Sequence, residues 1–319
     1  MKISNEELKS IFFGGYNFGE TEDGYLASYQ YTKEQMDYLE KASEFWYVRS
    51  KAGNAKTLEF KTEATEFSFE YKFLWQGALD SIEVMVDGVI EKIFRGDDLP
   101  EKGGIKCTLP AGEKNVVVYL VADTEIVIRN FCINASFERA QKGEKVLWMG
   151  DSITQGYGPF RSAHTYVSVA NRLLNYEIVN QGIGGFVYDK NILTKMDGYT
   201  PDKIIIALGT NQFKNDGNEQ IVEEYYERLH TLYGDTPVLC VTALWRPDAG
   251  EDSALMEKLI KFNRIVEKVC AKYPNIKVVD GFKMISHAQD YFLDAVHPST
   301  LGCEVFGRNL VEEIRKAGF

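Results

Sequence analysis

Residues 57–74, TLEFKTEATEFSFEYKFL, alternate aromatic or aliphatic side chains with polar ones. A two-residue period places the two sets on opposite faces of a pleated strand, so the stretch predicts half-buried β-structure. SIEVMVDGVI (81–90) sets Asp87-Gly88 between two β-type runs, a tight-hairpin signal, and NVVVYLVADTEIVIRNFCI (115–133) continues the pattern. Turn residues recur at short, even intervals. Residues 1–140 therefore predict an all-β antiparallel sandwich or jelly roll. TKEQMDYLEKASEF (32–45) departs from the pattern and predicts a helical turn or a long loop.

From about residue 145 the period changes. Short apolar runs, KVLWM (145–149), YEIVN (176–180), KIIIAL (203–208), PVLCVTAL (237–244) and IKVVD (276–280), alternate with amphipathic stretches near 163–174, 219–233, 252–273 and 299–317. Strand–helix alternation of this kind predicts an α/β fold, a flavodoxin-like doubly wound parallel sheet of five strands over residues 145–319. Such sheets bind their ligands at the carboxyl ends of the strands. ERAQKGEK (138–145) is a polar candidate linker between the two parts.

Composition narrows the function. The 319 residues are 45% hydrophobic and 13% aromatic, enough for packed cores, and the net charge is -11. Nucleic acid and an anionic membrane surface both call for a basic face, so neither is an expected partner. No apolar run reaches the roughly 18 residues of a membrane span. The N-terminal MKISNEELKS is charged and lacks the apolar core of a secretory signal, which predicts a cytoplasmic protein. The cysteines, Cys107, Cys132, Cys240, Cys270 and Cys303, are scattered and predict reduced thiols. Neither they nor the histidines cluster at ligand spacing, so no metal or cofactor is expected.

Chemistry-bearing residues follow four of the five apolar runs. Gly150-Asp151-Ser152 comes after the first, NQGIGG (180–185) after the second, Gly209-Thr210-Asn211 after the third and DAVHP (294–298) beyond the fifth. A serine hydroxyl is a poor nucleophile without a base in reach. Of the four histidines only His297 lies in a strand-end loop with a carboxylate, Asp294, three residues before it. Asp294 would fix the imidazole tautomer, completing a nucleophile–base–acid set. Oxyanion donors are available in the Ser152 N–H, a glycine N–H of NQGIGG and the Asn211 amide. Ser152 or Asp151 would also serve as a helix N-cap, and Asp151 reads as a loop anchor.

At these residues the sequence resembles the SGNH or GDSL hydrolases over residues 145–319. The family's blocks read here as Gly150-Asp151-Ser152-Ile153-Thr154, as Asn180, Gly182 and Gly185, as Gly209-Thr210-Asn211, and as Asp294-Ala295-Val296-His297-Pro298. Gln212 stands where the third block has an aspartate. The resemblance implies that Ser152 is the nucleophile and that Gly185 is the oxyanion donor of the second block. A β-sandwich ahead of such a domain is similar to the two-domain acetyl esterases of carbohydrate esterase family two. That implies a small-molecule ester substrate, an O-acetylated sugar or oligosaccharide. An acyltransferase, a lipase or thioesterase, and an inactive carbohydrate-binding protein are the competing readings. Trp245-Arg246, after the fourth run, either pack structurally or floor the substrate pocket. His164 reads as a cap or surface residue and His230 as structural, His287 has no partner pattern, and Trp46 and Trp75 in the first half read as core.

Overall fold

A computed structural model describes all residues, 1–319. The first 140 residues supply two antiparallel sheets. Their strands are β1 (Phe12–Phe13), β2 (Asn17–Glu20), β3 (Leu26–Tyr29), β4 (Thr57–Thr62), β5 (Glu66–Gln76), β6 (Ile82–Val86), β7 (Val89–Phe94), β8 (Lys102–Thr108), β9 (Lys114–Tyr119), β10 (Thr124–Ile133) and β11 (Phe137–Arg139). One sheet runs β1-β4-β9-β6-β7 with β11 also on β4, and the other runs β2-β3-β10-β5-β8. The predicted hairpin joins β6 to β7, and Asp87 and Gly88 both have positive φ (46° and 85°), the geometry of a primed turn. The inward side chains form one core, in which the rings of Phe67, Phe69 and Phe131 lie nearly parallel with Phe60 edge-on to Phe67 and Phe131.

The second part is a parallel sheet of β12 (Lys145–Gly150), β13 (Glu177–Gly182), β14 (Lys203–Ala207), β15 (Val238–Val241) and β16 (Ile276–Val279), in the order β13-β12-β14-β15-β16. Its switch point lies between β12 and β14, where a doubly wound sheet opens its ligand crevice. Strands buried on both sides must be apolar at successive positions. Leu147, Met149, Ile204, Ile206, Val238 and Cys240 face one way, while Val146, Trp148, Ile205, Leu239 and Val241 face the other. The helices are α1 (Asn5–Ser10), α2 (Lys33–Ala42), α3 (Glu44–Arg49), α4 (Ser152–Gln155), α5 (Tyr166–Leu174), α6 (Asn218–Tyr233), α7 (Pro247–Glu251), α8 (Ser253–Cys270) and α9 (Thr300–Lys316). α6 and α8 cover the first face, and α5 and α9 the second. No helix is long and apolar enough to cross a membrane.

The 32–45 stretch is helical, and it does not pack inside the sandwich. Thr32 and Gln35 make a capping box at the start of α2. Ser43 ends α2 and caps α3, accepting from the Trp46 N–H. Leu39 of α2 and the preceding Tyr31 belong to the same buried cluster as Leu147 and Val179 of the parallel sheet. Trp46 is likewise no sandwich core residue. It is half-buried and lies edge-on to Phe186, centroids 4.9 Å apart, in the second part of the chain. Trp75 is half-buried near the surface rather than in the core.

Polar positions of the alternating strands also depart from simple alternation. Thr57 and Glu59 of β4, Ser81 just before β6, and Glu83 of β6 are buried. Glu83 takes Arg161 at 3.1 and 2.7 Å and the Ala163 N–H at 3.2 Å. Glu59 pairs with Lys142 at 2.6 Å, which anchors the segment that reads as a linker. These side chains face the parallel-sheet part rather than water. A buried charge is tolerable only when paired and hydrogen-bonded in this way.

Candidate active site

Ser152 is the first residue of α4, directly after β12. Asp151 is the N-cap, its carboxylate accepting from the Ile153 N–H at 3.0 Å. The first N–H of a helix has no intrahelical acceptor, so the Ser152 N–H stays available at the strand end. Ser152 Oγ lies 2.9 Å from His297 Nε2. His297 Nδ1 lies 2.8 Å from Asp294 Oδ2. Asp294 is ionised acceptor-only, so Nδ1 carries the proton and Nε2 is left to accept from the serine. The other oxygen, Asp294 Oδ1, accepts the N–H groups of Val296 and His297, each at 2.7 Å. Burial pushes the Asp294 carboxyl up, but these bonds and the imidazole outweigh it and hold it below the usual carboxylate value. Tyr157, which the sequence did not single out, packs edge-on against the imidazole at 4.6 Å. A Cβ on Gly158 (φ 129°) would meet the Pro298 carbonyl at 2.4 Å, so the second glycine after the serine lets this loop lie against the histidine loop.

Residues 180–186 leave one free donor. Asn180 is fully buried and tied down, giving Nδ2 to the Thr154 carbonyl at 2.8 Å and taking the Gly182 N–H at 2.9 Å. The Ile183 N–H goes to the Gly150 carbonyl, the Gly184 N–H to Gln155 Oε1, and the Phe186 N–H to the Ile183 carbonyl. Gly185, at φ 73°, has an N–H with no protein acceptor. Asn211 is exposed after β14 and gives Nδ2 to the Phe186 carbonyl at 2.9 Å, which leaves its second amide hydrogen free. Gln212, in place of an aspartate, is buried. It accepts the Tyr188 N–H at 2.5 Å and reaches Asn218 Oδ1 at 3.2 Å, which ties this loop to the start of α6.

The first half of the chain grips this loop. Asn54 Nδ2 donates to the carbonyls of Asn180 and Gly182 at 3.2 and 2.7 Å. Gln181 Nε2 donates to the Gln30 carbonyl at 2.8 Å, and Trp46 Nε1 to the Gly185 carbonyl at 3.3 Å. Buried Gln155, three residues after Ser152, joins the Gly184 N–H to the Asp123 carboxyl. The Asp123 N–H in turn donates to Asp80 at 2.6 Å. None of these holders carries a sequence motif; only the capping box near α2 offered a local signal.

The remaining candidates have structural partners. Arg246 is buried, forks onto Asp248 at 2.6 and 2.7 Å and donates to the Thr210 carbonyl at 2.9 Å. Trp245 stacks on His287 at 4.9 Å and leans on Phe292 at 5.5 Å. His164 pairs with Glu304 at 3.3 Å, and His230 lies against Tyr273.

Three buried carboxyls give the site a pH signature. Burial raises Asp80 to about 6, and Asp123 and Asp151 to about 7. Neighbouring Asp80 adds to the rise at Asp123 and Arg49 opposes it. The Ile153 N–H and Arg246 oppose the rise at Asp151. Unfolded, all three titrate near about 3.9, so the folded chain binds more protons between about pH 4 and 7 and must lose stability as pH rises through that window. Urea midpoints are therefore expected to be higher at about pH 5.5 than at about pH 8. Asp123→Asn keeps an acceptor for Gln155 and is expected to shrink that gap by on the order of 1–2 kcal/mol. An unchanged gap would show that Asp123 is not a raised carboxyl.

Comparison with known proteins adds likenesses of sequence and of fold. Residues 148–305 match the family model of the GDSL-like lipase/acylhydrolases. A multidomain esterase of Ruminococcus flavefaciens is 28% identical over 153 residues, which is 44% of this chain and 20% of that protein. The chain thus spans about a fifth of that relative's length. Among solved structures, a salicylyl-acyltransferase from a tetracycline biosynthetic pathway superposes with a TM-score of 0.76 at 17% identity, over 96% of this chain and 94% of that one. A family two carbohydrate esterase of Clostridium thermocellum, in complex with cellohexaose, superposes with a TM-score of 0.60 at 18% identity, over 83% of this chain and 93% of that one. These likenesses are of fold.

Proposed function

We propose, on the premise that residues 148–305 form a GDSL-like lipase/acylhydrolase domain, that this protein is a serine esterase acting on short-chain, chiefly acetyl, esters of carbohydrates. The observation that carries the reading is the unbroken hydrogen-bond relay Ser152–His297–Asp294, at 2.9 and 2.8 Å, at the carboxyl end of β12. Ser152 Oγ attacks the ester carbonyl while His297 Nε2 takes its proton. Asp294 holds the imidazole tautomer and stabilises the imidazolium. The developing oxyanion is met by the Ser152 N–H, the Gly185 N–H and the free amide hydrogen of Asn211. His297 then protonates the leaving alcohol, and a water deprotonated by the same nitrogen resolves the acyl-enzyme. The scheme calls for no metal or cofactor.

The sugar preference is supported by the arrangement of a β-sandwich, residues 1–140, ahead of the hydrolase domain, residues 145–319, as in the family two carbohydrate esterase fold. Hydrolysis of p-nitrophenyl esters tests the acyl preference. Turnover is expected to fall from acetate through butyrate to octanoate, and a rise toward octanoate would replace this reading with a lipase or thioesterase. Acyl transfer is the second reading, because the fold of a salicylyl-acyltransferase covers nearly the whole chain. There an alcohol, rather than water, resolves the acyl-enzyme. Transfer product exceeding hydrolysis when sugar or alcohol acceptors are added would establish it.

A further inference from the structure

Helix α3 has no part in the scheme above, yet it lies on the loop that carries Gly185. A Cβ on Gly185 would come within 3.0 Å of the Phe45 ring, and one on Gly184 within 2.6 Å of Arg49 Cδ. The two glycines thus let Phe45 and Arg49 rest directly on the loop backbone. The Arg49 guanidinium carbon sits 3.5 Å over the Phe45 ring and 5.3 Å from the Trp75 ring of β5. Phe45 itself is 50% exposed, so the stack opens to solvent.

Arg49 is unusual in this chain. Every other arginine is either paired with a carboxylate or exposed on the surface. Arg49 is half-buried, has no carboxylate within 4.0 Å and donates no hydrogen bond, while its nitrogens reach solvent. Nearby Asp123 spends its carboxyl on Gln155 instead. A guanidinium resting over an aromatic ring, with no carboxylate partner, keeps N–H donors free in a fork matched to a carboxylate. An ester whose carbonyl oxygen sits at the Gly185 N–H lies beside the loop backbone on which Phe45 and Arg49 rest.

We propose that Arg49, over the Phe45 ring and near Trp75, beside Gly184 and Gly185, forms a subsite for a carboxylate carried by the ester substrate. This rests on the serine-esterase reading of the site and narrows its substrate class to acidic esters. One unpaired cation on a protein of net charge -11 suits a monoanion better than a phosphate dianion. The exposed Phe45 surface receives the apolar face of the ring that bears the group.

Binding to the full-length Ser152→Ala protein tests this without turnover. Three ligands are titrated calorimetrically: methyl O-acetylgalactoside, which is neutral; methyl O-acetylgalacturonide, with the carboxylate on the alcohol part; and methyl O-succinylgalactoside, with the carboxylate on the acyl part. One of the two acids is expected to bind about tenfold tighter than the neutral ester, and which one tells the side of the ester that meets Arg49. Adding Arg49→Gln is expected to bring the ratio to about one, and Arg49→Lys to restore part of it. If Arg49→Gln unfolds the protein, raising salt from about 0.05 to about 0.5 M in the Ser152→Ala protein should erode the same preference. Neither acid binding more tightly, or a preference that survives both Arg49→Gln and salt, overturns the subsite. Turnover of p-nitrophenyl acetate by wild type is read separately, so the esterase proposal stands or falls on its own.

Discussion

Replacing Ser152 with alanine is expected to lower kcat for p-nitrophenyl acetate by on the order of 10^3-fold or more, with little change in thermal stability. The site explains both halves of this result. Ser152 gives its hydroxyl to His297 and nothing else, so alanine removes the nucleophile and leaves the 2.8 Å His297–Asp294 contact in place. α4 keeps its cap, because that role belongs to Asp151. The residue is only 8% exposed, but a lost hydroxyl opens no apolar cavity of consequence. Because the three groups act as a unit, His297→Ala should cost about as much, and combining the two should add little. Wild-type turnover that survives in Ser152→Ala would remove the serine mechanism.

Asn211→Ala is expected to lower kcat by about 10^2–10^3-fold with a much smaller effect on KM, the mark of a donor that acts on the transition state. One amide hydrogen of Asn211 already holds the Phe186 carbonyl at 2.9 Å. That bond fixes the amide and ties it to the loop that carries Gly185, and in the proposed scheme the other hydrogen meets the oxyanion. Asn211→Asp removes both donors at once. It has the same shape but no hydrogen to give, and it places a negative charge where one must develop, so it should be worse than alanine. A raised KM with unchanged kcat in Asn211→Ala would assign the residue to ground-state binding instead.

Much of this was legible locally. The Asp87-Gly88 turn, the two-residue period of β5 and the apolar runs of β12 to β15 are each fixed by neighbours in sequence, where periodicity reports directly. The four motif loops could be gathered because a doubly wound sheet sends all its strand ends to one crevice. Docking between the two parts was not legible. Glu59 and Glu83 alternate as solvent-facing residues do, and nothing within either strand announces that Lys142 and Arg161 will meet them. Trp46 and Leu39 carry an apolar face whose partner lies more distant in the chain than any period can reach. Asn54 and Arg49 are ordinary polar residues until the fold places them against residues 180–186, as is Asp123 until Gln155 links it to that loop.

The grip on that loop makes catalysis a gauge of assembly. Leu39 and Tyr31 are synthesised long before the sheet that buries them, so the first half must wait with an apolar face uncovered until β12 to β14 arrive. Contacts this far apart in sequence form late, after local structure has settled. Asn54 and Trp46 can seat the loop only once that docking is complete. A newly made chain would therefore remain silent toward esters while both halves already look folded by spectroscopy, and the appearance of turnover would mark the moment the two have joined.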